Sequence, residues 1–128
     1  MEAMTISVQD VIQQYIDAFT ARDLKRCVEM YDAEGVIRFP PATYRGKKAL
    51  EDWHKARFAA NLQLVRVDDM TVTGDKVTVD GVVTSNRLRA WRIGDLAGSA
   101  TFEVRDGKIA HVQFGPRDHN LLEGIRLW

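Results

Sequence analysis

Few side chains in this sequence combine chemical reactivity with an apolar setting, and Tyr15 is the first of them. It belongs to the stripe Val8, Val11, Ile12, Tyr15, Ile16 and Phe19, so its hydroxyl would either donate a hydrogen bond to a ligand oxygen or be paired locally within a core. Arg87 and Arg89, in "NRLRAWR", have the strand parity of Val83, Ser85 and Trp91 and would present two guanidinium groups on one face. Turned inward they need anions, either a ligand carboxylate or phosphate or protein acids such as Asp68, Asp69 and Glu103; turned outward they form a solvated or subunit-interface stripe. His54, His111 and His119 are the histidines, and none has a second His, Cys or acid at metal-ligand spacing, so neither a metal nor another cofactor is expected. His111 alternates with Gln113 on the face opposite Ala110, Val112 and Phe114; a register slipped by one residue would turn Glu103 and His111 inward as an acid and a base. Cys27 lies on an apolar stripe with no basic neighbour on that face, which describes an inert buried thiol.

These residues are carried by elements that the apolar periodicity outlines. The stripe containing Tyr15 predicts a helix from Ser7 to about Arg22, with Ser7 as its cap. Asp23 would cap a second, shorter helix with Leu24, Cys27, Val28 and Tyr31 on its apolar face. A third helix, about Lys47 to Asn61, places Leu50, Trp53, Arg57 and Phe58 together, Arg57 being the odd member of the stripe. Before it, "GVIRFPPATYRG" reads as a short strand, a double-proline turn and a glycine that opens the helix, with "TYRG" as a mobile rim. After Asn61 the period becomes alternating, and "TGDK", "RIGDLAG" and "RDGK" supply turns. The resulting strands are Leu62–Thr73, Lys76–Trp91, Leu96–Arg105 and Lys108–Phe114, the second long enough to require a bend, for which Gly81 is the candidate. Three helices followed by a meander make an α+β pattern, with the helices covering one face of a sheet.

The chain has 128 residues, 45% hydrophobic and 28% charged, with Lys plus Arg and Asp plus Glu at 18 each. That length suits one domain spanning 1–128, able to bury a core without staples. Balanced charge provides no field to gather nucleic-acid phosphates, and there is no apolar run of the roughly 20 residues that a spanning helix needs. Neither a nucleic-acid nor a membrane partner is expected. "MEAMTISVQD" has no basic-then-apolar block, and a single cysteine excludes an internal disulfide, so a cytoplasmic location is the expectation.

The wording "VIQQYIDAFTARDLKRCVEMYDAEGVIRF…YRGKKALEDW" with the later "FEVRDGKI" resembles the nuclear transport factor 2-like superfamily, in particular its SnoaL-like and ketosteroid-isomerase-like groups. The resemblance implies a cone-shaped roll: three N-terminal helices packed on a curved, mostly antiparallel sheet, with an apolar pocket between them. It also places Tyr15 on the oxyanion-stabilising Tyr of the ketosteroid isomerases, Phe39 where their general base stands, and Ala100 where their protonated second acid stands. Compared with the limonene-epoxide hydrolases, Arg87 matches the family's Arg, Arg89 and Phe114 fall on its two acids, and Ile37 and Phe39 on its Tyr and Asn. Every carboxylate those reactions require is thus replaced.

The expected cone lining is therefore Ile37, Phe39, Trp53, Ala100, Phe102 and Phe114, with Tyr15, Arg87 and Arg89 as polar handles. Such a lining suits binding a small apolar molecule, one that carries a carbonyl or an acid. The residues leave catalysis open: an isomerase, cyclase or hydrolase would use Tyr15 with Glu103, His111 or Asp69, and Arg87 is a further catalytic candidate. A third reading is an interaction module. The resemblance implies a homodimer through the open sheet face, where Thr101, Glu103, Arg105, His111 and Gln113 alternate, and Trp128 would cap the pocket mouth or a partner.

Overall fold

The computed structural model describes residues 7–92 and 94–116. In chain order the elements are α1 (Val8–Thr20), α2 (Leu24–Glu29), β1 (Tyr31–Phe39), β2 (Ala42–Arg45), α3 (Lys47–Ala59), β3 (Gln63–Thr73), β4 (Lys76–Thr84), α4 (Asn86–Ala90), β5 (Asp95–Arg105) and β6 (Lys108–Pro116). The six strands form one curved sheet in the order β2-β1-β6-β5-β4-β3. Its pairs are antiparallel except β1 with β6, which run parallel.

Local chemistry sets the helix ends. The Ser7 hydroxyl accepts the Asp10 N–H at 3.1 Å, and the Asp23 carboxylate accepts the Arg26 N–H at 3.2 Å, each satisfying a donor that the first helical turn cannot. Gly46 opens α3 at φ +87°, a backbone region that side chains with a Cβ rarely adopt. Lys47 then ties α3 to the preceding elements, its Nζ donating to the carbonyls of Val28 at 2.9 Å and Tyr31 at 2.8 Å.

Four expectations are corrected. Tyr31 starts β1 instead of closing the stripe of α2, because α2 ends after Glu29 and the chain turns at Met30. "TYRG" does not form a loose rim: Thr43–Arg45 belong to β2 and pair with β1 in the register Val36↔Arg45, Ile37↔Tyr44 and Arg38↔Thr43. The long strand to Trp91 stops at Thr84, since the Ser85 hydroxyl accepts the Leu88 N–H at 3.2 Å and caps α4. "SNRLRA" is a capped run of good helix formers, and the capping term outweighs the apparent alternation. The irregularity expected in β4 lies in β3 instead, on both sides of the Val67↔Gly81 pair. Gly81 faces that distortion because a Cβ there would stand 2.8 Å from the Arg66 carbonyl oxygen.

β6 departs from simple alternation too. Glu103 pairs with His111 but Val104 with Ile109, which leaves Ala110 as the extra residue of a bulge. Ile109 and Val112 therefore both reach the core, each fully buried, and the expected Ala110–Val112–Phe114 face is corrected accordingly. The core lies between the helices and the inner sheet face. Val11, Ile12, Tyr15, Ala18, Leu50 and Trp53 come from the helices, and Ile37, Val77, Phe102, Ile109 and Val112 from the strands. Among the described residues, no helix is long and apolar enough to cross a membrane.

Candidate functional site

The inner surface holds two polar features, one closed and one open. The closed one is centred on Tyr15. Its hydroxyl lies 2.7 Å from His54 Nε2 and 3.0 Å from the Tyr31 hydroxyl, while His54 Nδ1 lies 2.7 Å from the Leu50 carbonyl oxygen. A carbonyl can only accept, so Nδ1 carries the proton and donates to Leu50. Nε2 is then the acceptor, Tyr15 donates to it, and Tyr31 donates to the Tyr15 oxygen. Each proton in the chain has one destination, and the Tyr15 proton is committed to His54.

Burial keeps these groups neutral. It raises the pKa of Tyr15 well above the ordinary phenol value, reinforced by Tyr31 and Cys27. It raises Tyr31 too, against the opposing effect of the bond to Tyr15, and lowers His54 despite the Leu50 carbonyl. Cys27, fully buried nearby, is pushed up to about 12 by desolvation first and the Asp23 charge second. The rings pack edge to face, with Tyr15 at 5.4 Å from Tyr31, 5.9 Å from His54 and 5.8 Å from Phe102.

The open feature lies where the inner surface regains exposure. Trp53, 1% exposed, stacks on Phe114 at 5.3 Å and 15° and meets Phe39 edge-on at 5.6 Å. Phe39 and Phe114, at 5.8 Å from each other, are half-buried. Arg57, one helical turn after Trp53, holds its guanidinium carbon 4.8 Å from the Phe39 ring centre and 5.8 Å from that of Trp53. Two donors here have no hydrogen-bond partner although both atoms are sealed from solvent: the Trp53 indole Nε1 and the Arg57 Nε. Among the described residues Arg57 forms no ion pair. Burial lowers its pKa, Tyr44 opposes that effect, and the Arg87 charge adds to it.

The other candidate residues are dispersed. Ile37, Ala100 and Phe102 are buried in the core behind these aromatics. Arg87 and Arg89 are exposed on α4, not on a strand. Arg89 donates to Thr84 Oγ1 at 3.3 Å and Asn86 Oδ1 at 2.8 Å, whereas Arg87 lies 5.8 Å from the Trp91 ring. Glu103 and His111 pair across β5 and β6 on the outer face, so the slipped register does not occur; Glu103 meets Arg105 at 3.2 Å. The Asp69 carboxylate accepts the Thr71 hydroxyl at 3.2 Å. His119 and Trp128 lie outside the described residues. A separate cleft of about 200 Å³ is lined by Phe19, Thr20, Arg22, Leu62, Gln63 and Leu64. Among the described residues no group of three or more His, Cys, Asp or Glu could hold a metal ion.

His54 and Arg57 were visible in the sequence but were not assigned to the site. Leu50, Trp53, His54, Arg57 and Phe58 recur at helical spacing, so the signal for both was present in the stripe. Spacing did not reveal that His54 meets a tyrosine 39 residues away.

The SnoaL-like domain family matches residues 12–112, most of the chain. This chain belongs to that family. No curated protein matches it. Among solved structures, a protein described as a candidate polyketide cyclase from Sinorhizobium meliloti shares 23% identity over 89% of this chain and 99% of its own, with a TM-score of 0.73. An epoxide hydrolase/cyclase-like enzyme of pyran ring formation in the polyether salinomycin shares 16% identity over 84% of this chain and 88% of its own, TM-score 0.75. A protein described as a candidate ketosteroid isomerase from Kribbella flavida shares 17% identity over 87% of this chain and 78% of its own, TM-score 0.72. At these identities the likeness is one of fold, and the SnoaL-like scaffold by itself assigns no reaction.

Proposed function

We propose that this SnoaL-like domain binds a small, largely apolar molecule at the mouth of its cone, against Phe39, Trp53 and Phe114. The reading rests on one observation: two buried donors, Trp53 Nε1 and Arg57 Nε, lie without partners beside an aromatic wall. A buried polar group without a partner costs about 1–3 kcal/mol, so a ligand oxygen reaching either donor would recover that cost. Phe39 and Phe114 retain surface in solvent and are the side chains that part to admit it. The inner positions that would carry acids in related enzymes are Phe39, Ala100 and Phe114, which favours binding over proton transfer.

The test is a thermal melt of the purified protein against apolar ketones, lactones, epoxides and carboxylates, with Trp53→Phe alongside. A class that raises the wild-type melting temperature by several degrees, with the gain reduced in Trp53→Phe, supports the reading. No stabilisation by any class refutes it.

A second copy of the chain is the proposed partner of the outer sheet face. Thr78 and Thr101 meet there at 3.4 Å, next to Glu103, His111 and Gln113. A native mass at the dimer value, reverting to monomer in Thr101→Arg, is the expected outcome; a monomer at all concentrations refutes the pairing.

A further inference from the structure

Both buried side-chain atoms at the cone mouth that lack a partner are donors. An indole N–H cannot accept, nor can any guanidinium nitrogen. Arg57 contributes a planar fork of N–H groups whose geometry matches the two oxygens of a carboxylate. The contacts at 4.8 Å to the Phe39 ring and 5.8 Å to the Trp53 ring place the cation over π faces, but a ring face does not satisfy directional N–H donors, and Nε stays unpaired. No described acid forms an ion pair with Arg57 or with Arg87, whose charge acts on it. The mouth therefore combines positive charge, donors without acceptors, and flat apolar walls.

Resting on the binding reading above, we infer that the molecule taken at the mouth is a conjugated or aromatic carboxylate, its carboxylate on the Arg57 guanidinium and the Trp53 indole N–H and its flat body against the exposed surfaces of Phe39 and Phe114. A neutral ester would retain the ring contacts but lose the charge-assisted bonds. An amine of the same shape would meet the Arg57 cation and two buried donors, which repel its charge and cannot accept from it. The 99% burial of Trp53 gives its N–H no water to fall back on, which makes the acceptor requirement strict.

Calorimetric titration of the intact protein with 2-naphthoate, methyl 2-naphthoate and 2-naphthylmethylamine tests the inference. The expected result is naphthoate binding at least about tenfold more tightly than the ester, with the amine not binding. In Arg57→Met, which keeps the apolar stem, the acid should fall to the affinity of the ester, and Arg57→Lys should restore part of the preference. Melting curves verify that each variant is folded, and Trp53→Phe, deleting only the N–H and some ring area, gives a second route to the same loss. Equal affinity of acid and ester in the wild type, or a preference that survives in Arg57→Met, overturns the carboxylate assignment while leaving a binding mouth. Absence of binding by all three overturns it too, and the binding reading then falls only if the neutral ketones, lactones and epoxides also fail to stabilise the protein.

Discussion

Replacing Tyr15 by Phe removes one oxygen yet strands two partners, and the cost should exceed that of any other hydroxyl deletion in the core. The Tyr15 hydroxyl donates to His54 Nε2 at 2.7 Å and accepts from Tyr31 at 3.0 Å, both inside the protein. Tyr15→Phe leaves a buried imidazole nitrogen and a buried phenol O–H without partners, at about 1–3 kcal/mol each, so a loss of about 2–6 kcal/mol is expected. Tyr31→Phe leaves the Tyr15-to-His54 bond intact and strands no donor, so about 1 kcal/mol is expected. In the double variant the stranded Tyr31 hydroxyl is absent, and the loss should be smaller than the sum of the single losses by about 1 kcal/mol or more. Urea unfolding at pH 7.5, with the slope shared among the four proteins, measures all of these. The proposed directionality of the chain is refuted if Tyr31→Phe costs as much as Tyr15→Phe, or if the two losses add.

The remaining predictions concern the same core and its frame. His54 has a folded pKa below its unfolded value, because burial opposes its charging. Its contribution is fully present above the unfolded value of about 6.5 and is lost as pH falls toward the folded one, with a limiting slope of about 1.4 kcal/mol per pH unit. Wild type should therefore lose more stability than His54→Gln between roughly pH 6.5 and 5, and imidazole ¹⁵N shifts at pH 7 should report a proton on Nδ1. A Cβ at Gly81 would lie 2.8 Å from a backbone oxygen; Gly81→Ala should cost about 1–3 kcal/mol in urea unfolding, against near neutrality if β3 can shift. Cys27, fully buried and pushed up to about 12, should react with an aromatic disulfide reagent only at the rate of global unfolding, and fast native-state labelling would contradict its burial.

The elements were legible where a local rule acts alone: Ser7 and Asp23 as caps, Gly46 at the start of α3, and the turns between β3 and β4 and between β5 and β6. They were misread where two local rules compete, as at Ser85, whose cap of α4 overrides the alternation that carried Arg87 and Arg89 into a strand. The bulge at Ala110 was hidden because one extra residue leaves no mark on composition, yet it turns Ile109 toward the core. The meeting of Phe39, Trp53 and Phe114 on the inner side was readable from their positions, whereas the partners of the polar groups beside them were not. Tyr15 could be read either as a ligand donor or as a locally paired core hydroxyl, because His54, on a different helix, is placed against it only by the fold. Arg57 was visible as a charge in an apolar stripe, but its lack of a partner depends on elements distant in sequence that meet around it, which no spacing records.

The decisive measurement follows the Trp53 indole N–H by ¹H–¹⁵N NMR during titration with 2-naphthoate, the resonance being assigned by its absence in Trp53→Phe. A saturable downfield shift of that N–H is expected as it gains an acceptor, with the signal of the exposed Trp91 at the end of α4 unmoved. Binding that leaves the Trp53 resonance in place, or no binding by any ligand class that the melting panel contains, would contradict a mouth built on Trp53 and Arg57.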